Sequence, residues 1–253
     1  MRILLLLMIV SLSISVFSQK SKTILFIGAH PDDETAIGEV LVKYAKAGHK
    51  VIVMIATDGK DGTRVTKTPA GDSLGNIRKL ETICACEKMG IEQPIFLSVE
   101  KLDTKIGVRN YFNAHKQLMD SLKKRIPLLK PDIIITFGPD GDTHHSEHIV
   151  IGGSITELLL MEGWVEKYPL YYLAWTKEMG EAFDLGYVHK QYFNVKIDYS
   201  DEDELKGLEA LKCYVTQFTA DEMKDDYEKK TKDKTNTMHF RRFVITKGLQ
   251  NRF

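Results

Sequence analysis

Two short segments of this 253-residue chain combine histidines with acidic residues in spacings that suit metal binding and proton transfer. The first, AHPDDE at residues 29–34, directly follows the apolar run at residues 24–27. Branched and aromatic residues favour a strand, which a proline cannot continue, so the polar residues fall in a strand-to-helix loop. His30 and Asp33 can converge on one cation, which leaves Asp32 free to move a proton. The structural alternative is a capped turn, with one of the two aspartates as helix N-cap.

The second segment also follows a predicted buried strand. After the apolar run at residues 133–137, the sequence PDGDTHHSEH at residues 139–148 places three of the eight histidines within five positions. In an open α/β sheet, loops at the carboxyl ends of strands form the active-site crevice, so the two segments are expected to meet. In the first turn of the following helix, both His144 and His145 can share a face with His148. Spacing alone therefore leaves the choice between them open.

Together these segments resemble the motifs of the PIG-L/LmbE family of zinc-dependent N-acetylglucosaminyl de-N-acetylases. AHPDDE at residues 29–34 looks like the first family motif, and HSEH at residues 145–148 resembles its H-x-D-H. Weaker similarities cover most of the mature chain. They lie in the loop at residues 57–62, at Arg78 with Glu81, at Asp103, and at residues 210–217.

The chain departs from the family pattern at three positions. Lys60 stands where the family has an acid, and Tyr214 stands at its C-terminal histidine. Glu147 replaces the aspartate of the second motif, which leaves a carboxylate available but displaces it by one methylene. The changes at Lys60 and Tyr214 bear on substrate contacts.

A catalytic metal site is the chemistry that these residues favour. We predict His30, Asp33 and His148 as zinc ligands, because two imidazoles and one carboxylate leave a coordination position open for water. Fe²⁺ could occupy a similar site. Asp32 is the predicted general base for that water.

Further roles follow from the resemblance. His145 is the predicted electrophile that stabilises the tetrahedral intermediate, with Glu147 orienting its ring and His144 as the alternative. Arg78 and Asp103 match positions of substrate contacts, although Arg78 could equally form a surface pair with the residue three positions on.

The implied reaction is hydrolysis of the N-acetyl group of an N-acetylglucosamine-type sugar or glycoconjugate by a metal-dependent amidohydrolase. A non-catalytic sugar-binding module on the same fold is the alternative, but such a module needs no metal triad beside a free carboxylate. A dinucleotide-binding oxidoreductase is disfavoured, because the first strand leads into GAHP and not into G-x-G-x-x-G.

Composition agrees with one catalytic domain acting on a small molecule. The chain has 35 basic and 35 acidic residues and a hydrophobic content of 43%. This balance gives no electrostatic footprint for nucleic acid or an anionic membrane, and the apolar content suffices for a core. The sequence gives no indication of oligomeric state.

The N-terminus predicts export. A basic residue precedes the apolar residues 3–10, and serines then interrupt the run before it reaches the length of a membrane span. We predict a cleaved signal peptide at residues 1–18, no span in the mature chain, a deacetylase domain at residues 19–253, and a periplasmic or extracellular location. Cys84, Cys86 and Cys213 are odd in number, so at least one is unpaired or pairs between chains. The first two are interpreted as small core residues.

Alternating strands and helices must position these groups. Apolar runs predict strands near residues 24–27, 51–56, 95–97 and 133–137, with helices between them and a further strand near residues 194–197. The helix after residue 72 is expected to turn Leu74, Ile77, Leu80 and Cys84 inward. The expected fold class is α/β, with a Rossmann-like parallel sheet flanked by helices and additional C-terminal elements.

Overall fold

The computed structural model describes residues 20–105, 107–232 and 234–251, so the predicted signal peptide lies outside the described residues. Within these ranges, seven strands form one sheet. They are β1 (Thr23–Gly28), β2 (Lys50–Thr57), β3 (Ile95–Val99), β4 (Ile133–Thr136), β5 (Leu170–Leu173), β6 (Val195–Asp198) and β7 (Thr237–Arg242).

Seven α-helices flank the sheet in the same described part of the chain. They are α1 (Gly38–Lys46), α2 (Asp72–Met89), α3 (Val108–Leu129), α4 (Ser146–Met161), α5 (Lys177–Phe183), α6 (Asp201–Leu211) and α7 (Ala220–Lys232). A 3₁₀ turn, Asp33–Ile37, leads into α1. Among these described helices, none has both the length and the apolar character that a membrane span needs.

The strand order is β3-β2-β1-β4-β5-β7-β6. All pairings from β3 to β5 are parallel, whereas β7 runs antiparallel to both β5 and β6. The predicted α/β fold is confirmed, and the additional C-terminal elements are the antiparallel edge of a mixed sheet. The strand predicted near residues 194–197 is β6, whereas β7 was not predicted.

Burial on both faces explains the unbroken apolar run of β1. Ile24 and Phe26 belong to the core beneath α1, α2 and α6, whereas Leu25 and Ile27 belong to the core beneath α3 and α4. Because successive side chains of a strand point to opposite faces, a strand covered on both sides needs apolar residues at every position. The sheet is thereby fixed between two helical layers, and its strand ends are held in place.

Helix α2 differs from its sequence prediction. The predicted inward face was Leu74, Ile77, Leu80 and Cys84. Of these, only Leu74 is fully buried, and Leu80 is 65% exposed. The helix instead turns Arg78, Glu81 and Thr82 inward, with exposures of 6% or less. Arg78 and Glu81 hydrogen-bond to residues outside the helix, and the same face also buries the apolar Ala85, Cys86 and Met89. Hydrogen bonding together with apolar packing therefore determines which face of α2 is buried.

Candidate active site

The carboxyl ends of β1 and β4 bring the two predicted segments together. The strands are parallel neighbours, with Phe26 paired to Ile135, so both chains leave the sheet at the same edge. The ring of His30 lies 5.4 Å from that of His148 and 4.7 Å from that of His145, measured between centroids.

Asp33 is oriented by the backbone of its own loop. Its Oδ2 accepts hydrogen bonds from the backbone N–H groups of Ala29 at 2.6 Å and His30 at 2.9 Å. Oδ1 therefore faces the histidines, 3.1 Å from Nε2 of His148 and 3.6 Å from Nδ1 of His30. Burial opposes ionisation, but His148 and His30 hold the pKa of Asp33 well below its usual range.

Hydrogen bonds assign a tautomer to each of the two neighbouring histidines. Nε2 of His30 donates to Oε2 of Glu147 at 2.7 Å, and Nδ1 of His148 donates to the carbonyl of Gly141 at 3.0 Å. Although burial opposes protonation, Asp33 and Glu147 raise the pKa of His30 to about 10, and Asp33 raises the pKa of His148. A bound metal ion would compete with the extra proton on each ring, and the lone pairs of the neutral rings would then lie on Nδ1 of His30 and Nε2 of His148, the two atoms that face Asp33. Metal-binding histidines typically have this arrangement, in which the second nitrogen donates to a carboxylate or a carbonyl.

The spacing of these atoms suits a metal ion. In a tetrahedral site with bonds of roughly 2.0–2.1 Å, adjacent ligand atoms lie about 3.3 Å apart. The separations of 3.1 Å and 3.6 Å from Oδ1 of Asp33 bracket that value. The ligand atoms of His30, His145 and His148 also lie within 4.8 Å of one another, so this group could bind a metal.

His145 differs from the other two histidines in its hydrogen bonding. It is the N-cap of α4, and its Nδ1 accepts from the backbone N–H of Glu147 at 3.2 Å. The neutral ring therefore carries its proton on Nε2, which suits a hydrogen-bond donor and not a metal ligand. Partial burial, His30 and His148 lower the pKa of His145 to about 4. The ring is thus neutral at pH 7.

The side chain of Glu147 corrects a sequence prediction. It was expected to orient His145, but its Oε2 binds Nε2 of His30 and its Oε1 accepts from the backbone N–H of Leu102 at 2.6 Å. Its hydrogen bond with His145 is made by its backbone N–H. Glu147 thus links the second motif to the imidazole of the first, a relation across 117 positions that helix spacing could not predict.

Asp32 lies beside the predicted metal ligands His30, Asp33 and His148, and its backbone conformation is unusual. Its φ is 112°, where residues other than glycine are rare, and its side chain is 19% exposed. Oδ2 is 3.1 Å from Nη2 of Arg78. Burial raises the pKa of Asp32 to about 6, although Arg78 favours the ionised form. A carboxyl group with such a pKa can exchange a proton near neutral pH.

The predicted substrate residues have contrasting positions. Arg78 borders the cavity but is only 3% exposed, and it does not pair with Glu81, whose carboxylate binds Thr216. Asp103 lies outside the cavity lining; it binds Lys101 at 3.3 Å and the backbone of Lys105. The geometry gives no support to Asp103 as a direct contact.

A cavity of about 700 Å³ is lined by His30, Asp33 and His148 and by Asp32. Lys60, Asp61 and Lys101 are among its charged lining residues, and it also has apolar lining residues. The latter include Trp175, Met179, Phe183, Leu185, Leu208 and Phe218. His145 also lines this cavity, whereas His144 does not. A cavity of this size holds a small organic ligand.

Trp175 and Asp142 form a contact that sequence reasoning missed. Trp175 is 9% exposed, and its indole N–H donates to Asp142 within the wall of the cavity. Burial raises the pKa of Asp142 to about 6. The position of Asp142 in the second segment was the available signal; the indole partner was not predictable.

A disulfide joins Cys84 of α2 to Cys213 after α6. Cys84, interpreted as a small core residue, packs against the core but is also disulfide-bonded, which the sequence did not predict. Cys86 is the unpaired, buried cysteine that the odd count required, and burial raises the pKa of its thiol.

Two residues shortly after Cys213 hydrogen-bond to acidic residues of the first motif and of α2. Tyr214 is fully buried, and its hydroxyl donates to Glu34 of the first motif. Thr216 donates to Glu81 through its backbone N–H at 2.9 Å and its hydroxyl at 2.6 Å. The C-terminal similarity marked this region, but the tyrosine in place of the family histidine gave no indication of its partner.

Known proteins share these features. Residues 25–159, more than half of the chain, match the family described as PIG-L, GlcNAc-PI de-N-acetylase. The chain belongs to this family. A curated relative from Mycobacterium sp. (strain KMS), 1D-myo-inositol 2-acetamido-2-deoxy-alpha-D-glucopyranoside deacetylase, is 25% identical over 240 residues. That alignment covers 81% of this chain and 77% of the relative. This PIG-L member is accordingly a hydrolytic deacetylase.

Solved structures share the PIG-L fold at lower identity. N,N'-diacetylchitobiose deacetylase from Pyrococcus horikoshii has a TM-score of 0.63 and 20% identity, covering 88% of this chain and 84% of its own. The 4-carboxy-2-hydroxymuconate hydratase of Pseudomonas putida KT2440 has a TM-score of 0.62 and 14% identity, covering 90% of this chain and 100% of its own. Since a hydratase is among them, these likenesses establish the fold and not the reaction.

Proposed function

We propose that this chain is a zinc-dependent hydrolase that removes the N-acetyl group from an N-acetylglucosamine-type sugar or glycoconjugate. One observation carries the proposal: Nδ1 of His30, Oδ1 of Asp33 and Nε2 of His148 converge with their other polar atoms already hydrogen-bonded, beside the separate carboxylate of Asp32. The name of the curated relative, a deacetylase of an acetamido sugar, supports the same substrate class.

The donor set fits zinc. Two imidazoles and a carboxylate are a ligand set of catalytic zinc sites, and they leave one position open. When bound there, zinc supplies a Lewis acid that activates water and polarises the acetyl carbonyl. Fe²⁺ accepts the same ligands, so metal analysis decides between the two ions.

The residues of the chain then have separate tasks. Asp32 removes a proton from the attacking water and returns one to the departing amine, which a pKa of about 6 allows. The Nε2–H of His145 donates a hydrogen bond to the oxygen that becomes negative in the tetrahedral intermediate and keeps its proton. Because its pKa is lowered to about 4, His145 acts here as a neutral donor. Glu147 holds the ring of His30.

We also propose that the enzyme is exported and loses residues 1–18. The Cys84–Cys213 disulfide supports an oxidising compartment, where disulfides persist. N-terminal sequencing of the protein recovered outside the cytoplasm should read from Gln19, and an intact Met1 would contradict cleavage.

Metal analysis combined with acetate release tests the activity. The purified enzyme should contain one equivalent of zinc and release acetate from some member of a panel of N-acetylated amino sugars. His148→Ala should lose most of both, since two ligands make a poor site. The matched control is His115→Ala, which removes a histidine of α3 paired with Glu157. A non-catalytic sugar-binding module would bind panel members without releasing acetate.

A further inference from the structure

The order of the strands places different surfaces on the two sides of the predicted metal ligands. In the order β3-β2-β1-β4-β5, the central strands β1 and β4 lead into the segments of His30 and His148. All pairings among these five strands are parallel, so their carboxyl ends lie at one edge of the sheet. The loops after β2 and β3 therefore lie to one side of the ligands, and the segment after β5 lies to the other.

The side of β2 and β3 offers hydrogen bonds. Apart from Val99, the described lining residues in the ranges 57–64 and 98–101 are polar, charged or glycine. A sugar ring needs such a surface, because a hydroxyl that leaves water without a new hydrogen bond costs free energy. We therefore expect the sugar of the substrate on this side of the cavity.

The side of β5 is apolar. Four side chains in the range 175–185 line the cavity and form a surface that we call the β5 wall: Trp175, Met179, Phe183 and Leu185. Met179 and Phe183 are four positions apart in α5, so they share one face of that helix. Met179 and Leu185 also pack against the core cluster that contains Trp175.

The β5 wall is attached to the second motif segment. The indole N–H of Trp175 donates to the side chain of Asp142, and the backbone N–H of Gly186 donates to the carbonyl of Asp142 at 2.6 Å. Phe137, which also lines the cavity, stacks on the ring of His148 with the centroids 4.0 Å apart. The apolar surface thus begins at a predicted metal ligand, and it is already formed, which lowers the cost of binding.

The geometry of an amide relates the two sides of the cavity. A secondary amide prefers the trans form, which places the sugar carbon and the acyl chain on opposite sides of the C–N bond. With the carbonyl at the predicted metal site and the sugar beside β2 and β3, the acyl chain extends toward the β5 wall. The single methyl group of an acetyl covers little of a surface formed by four large side chains.

We propose that the β5 wall binds the acyl chain of the substrate, and that the enzyme also hydrolyses N-acyl amino sugars whose saturated chain is longer than acetyl. This inference rests on the proposed function, which supplies the amide hydrolysis. The oxygen of water bonds to the acyl carbon, the C–N bond breaks, and the nitrogen gains a proton. The products are a fatty acid and the free amino sugar.

Charged residues beside the β5 wall limit the chain length. Lys230 and Glu39, whose side chains are 3.3 Å apart, line a smaller recess together with Trp175 and Met179. A long chain that passed the wall would remove this ion pair from water, which costs free energy. We therefore expect chains of medium length to be the preferred substrates.

A series of N-acyl glucosamines tests the proposal. The zinc-loaded wild type should show a kcat/KM that rises by about two- to fourfold with each added methylene, the gain expected from burying a CH₂ group. N-acetyl-, N-butyryl- and N-hexanoylglucosamine provide the series. The hexyl glycoside of N-acetylglucosamine carries a similar chain at the other end of the sugar. A flat series, or a gain confined to the hexyl glycoside, would overturn the proposal.

A substitution in the β5 wall should change the preference for long chains. Met179→Gln should lower the ratio of kcat/KM for N-hexanoyl- over N-acetylglucosamine by about tenfold, since a polar amide replaces an apolar contact. A folding defect would lower both rates alike, so the ratio reports the wall. Met161→Gln is the matched control, because Met161 of α4 is 66% exposed and lies outside the described lining. An unchanged ratio in Met179→Gln would contradict the acyl site.

A crystal structure of Asp32→Asn with N-hexanoylglucosamine separates this inference from the proposed function. The chain should contact Met179 and Phe183. If the wild type hydrolyses N-acetylglucosamine but no longer amide faster, the inference fails and the proposed function stands. If the wild type hydrolyses no N-acyl sugar, the proposed function fails. The crystal structure then decides the inference, since a chain on the β5 wall supports the binding site and a chain elsewhere overturns it.

Discussion

Nε2 of His30 and Oε2 of Glu147 lie 2.7 Å apart, although the residues are 117 positions apart in the chain. This contact makes Glu147 the partner of a predicted metal ligand. Its second oxygen is bound to the backbone of Leu102, so the carboxylate is held at both ends. The side chain of the glutamate that replaces the family aspartate thus hydrogen-bonds to the ring of His30, and its bond to the neighbouring His145 is made by its backbone N–H.

Glu147→Ala is therefore expected to weaken zinc binding by roughly 10–100-fold, the usual cost of losing a carboxylate that orients a metal-bound histidine. Competition with a chromophoric chelator measures the affinity. Glu157→Ala, which removes an acid elsewhere on α4, is the control. Unchanged affinity with a reduced kcat would return Glu147 to the orientation of His145.

Replacing Asp32 with Asn should spare the metal and slow turnover. We expect full zinc content and a kcat lower by roughly 10²- to 10⁴-fold, the range for losing a general base. Zinc analysis and steady-state kinetics on one preparation provide both numbers. Loss of zinc would show that Asp32 is a ligand.

The two adjacent histidines should differ sharply. His145→Ala is expected to lower the rate by about 10²- to 10³-fold with zinc retained, because one donor to the oxyanion is lost. His144→Ala should be mild, since His144 lies outside the cavity lining.

The N-cap role of His145 requires its own control. His145→Asn keeps a residue that caps helices well, so its thermal stability should match the wild type while its rate stays low. Zinc loss in His145→Ala would instead identify His145 as a ligand, and a larger defect in His144→Ala would transfer the donor role to His144.

The Cys84–Cys213 disulfide should contribute substantially to stability. Because it closes a loop across 129 positions, its loss in Cys84→Ser/Cys213→Ser should lower the free energy of unfolding by about 2–5 kcal/mol. Urea unfolding with and without a reductant measures the effect. The reductant should destabilise the wild type and leave the double variant unchanged; equal stability of all four samples would contradict the bond.

The sequence predicted the meeting of His30 with His148 because both follow parallel strands, and strands of that kind place their ends on one edge. It could not predict the buried face of α2. There, Ile77 and Leu80 have the spacing of a core face, yet Arg78 and Glu81 are buried because they bind loop groups remote in the chain. Apolar periodicity carries no information about such partners.

The same limit applies to Cys84 and Cys213, whose pairing depends on how α2 and the end of α6 pack. The tautomers of His30 and His148 depend likewise on Glu147 and on the carbonyl of Gly141. The residue types were enough to predict the kind of chemistry. Which atoms take part depends on neighbours in three dimensions, and the sequence does not show these.

The family match ends at residue 159, within α4, whereas the buried Tyr214 lies beyond that residue and donates to Glu34 of the first motif. A boundary drawn by similarity is therefore not a boundary of function in this enzyme. A chimera that combined the first 159 residues with the C-terminal part of a relative would lose the hydroxyl that donates to the buried Glu34, unless the relative also has a tyrosine at this position. The residues at positions 34 and 214 should therefore be replaced together when segments are exchanged between relatives.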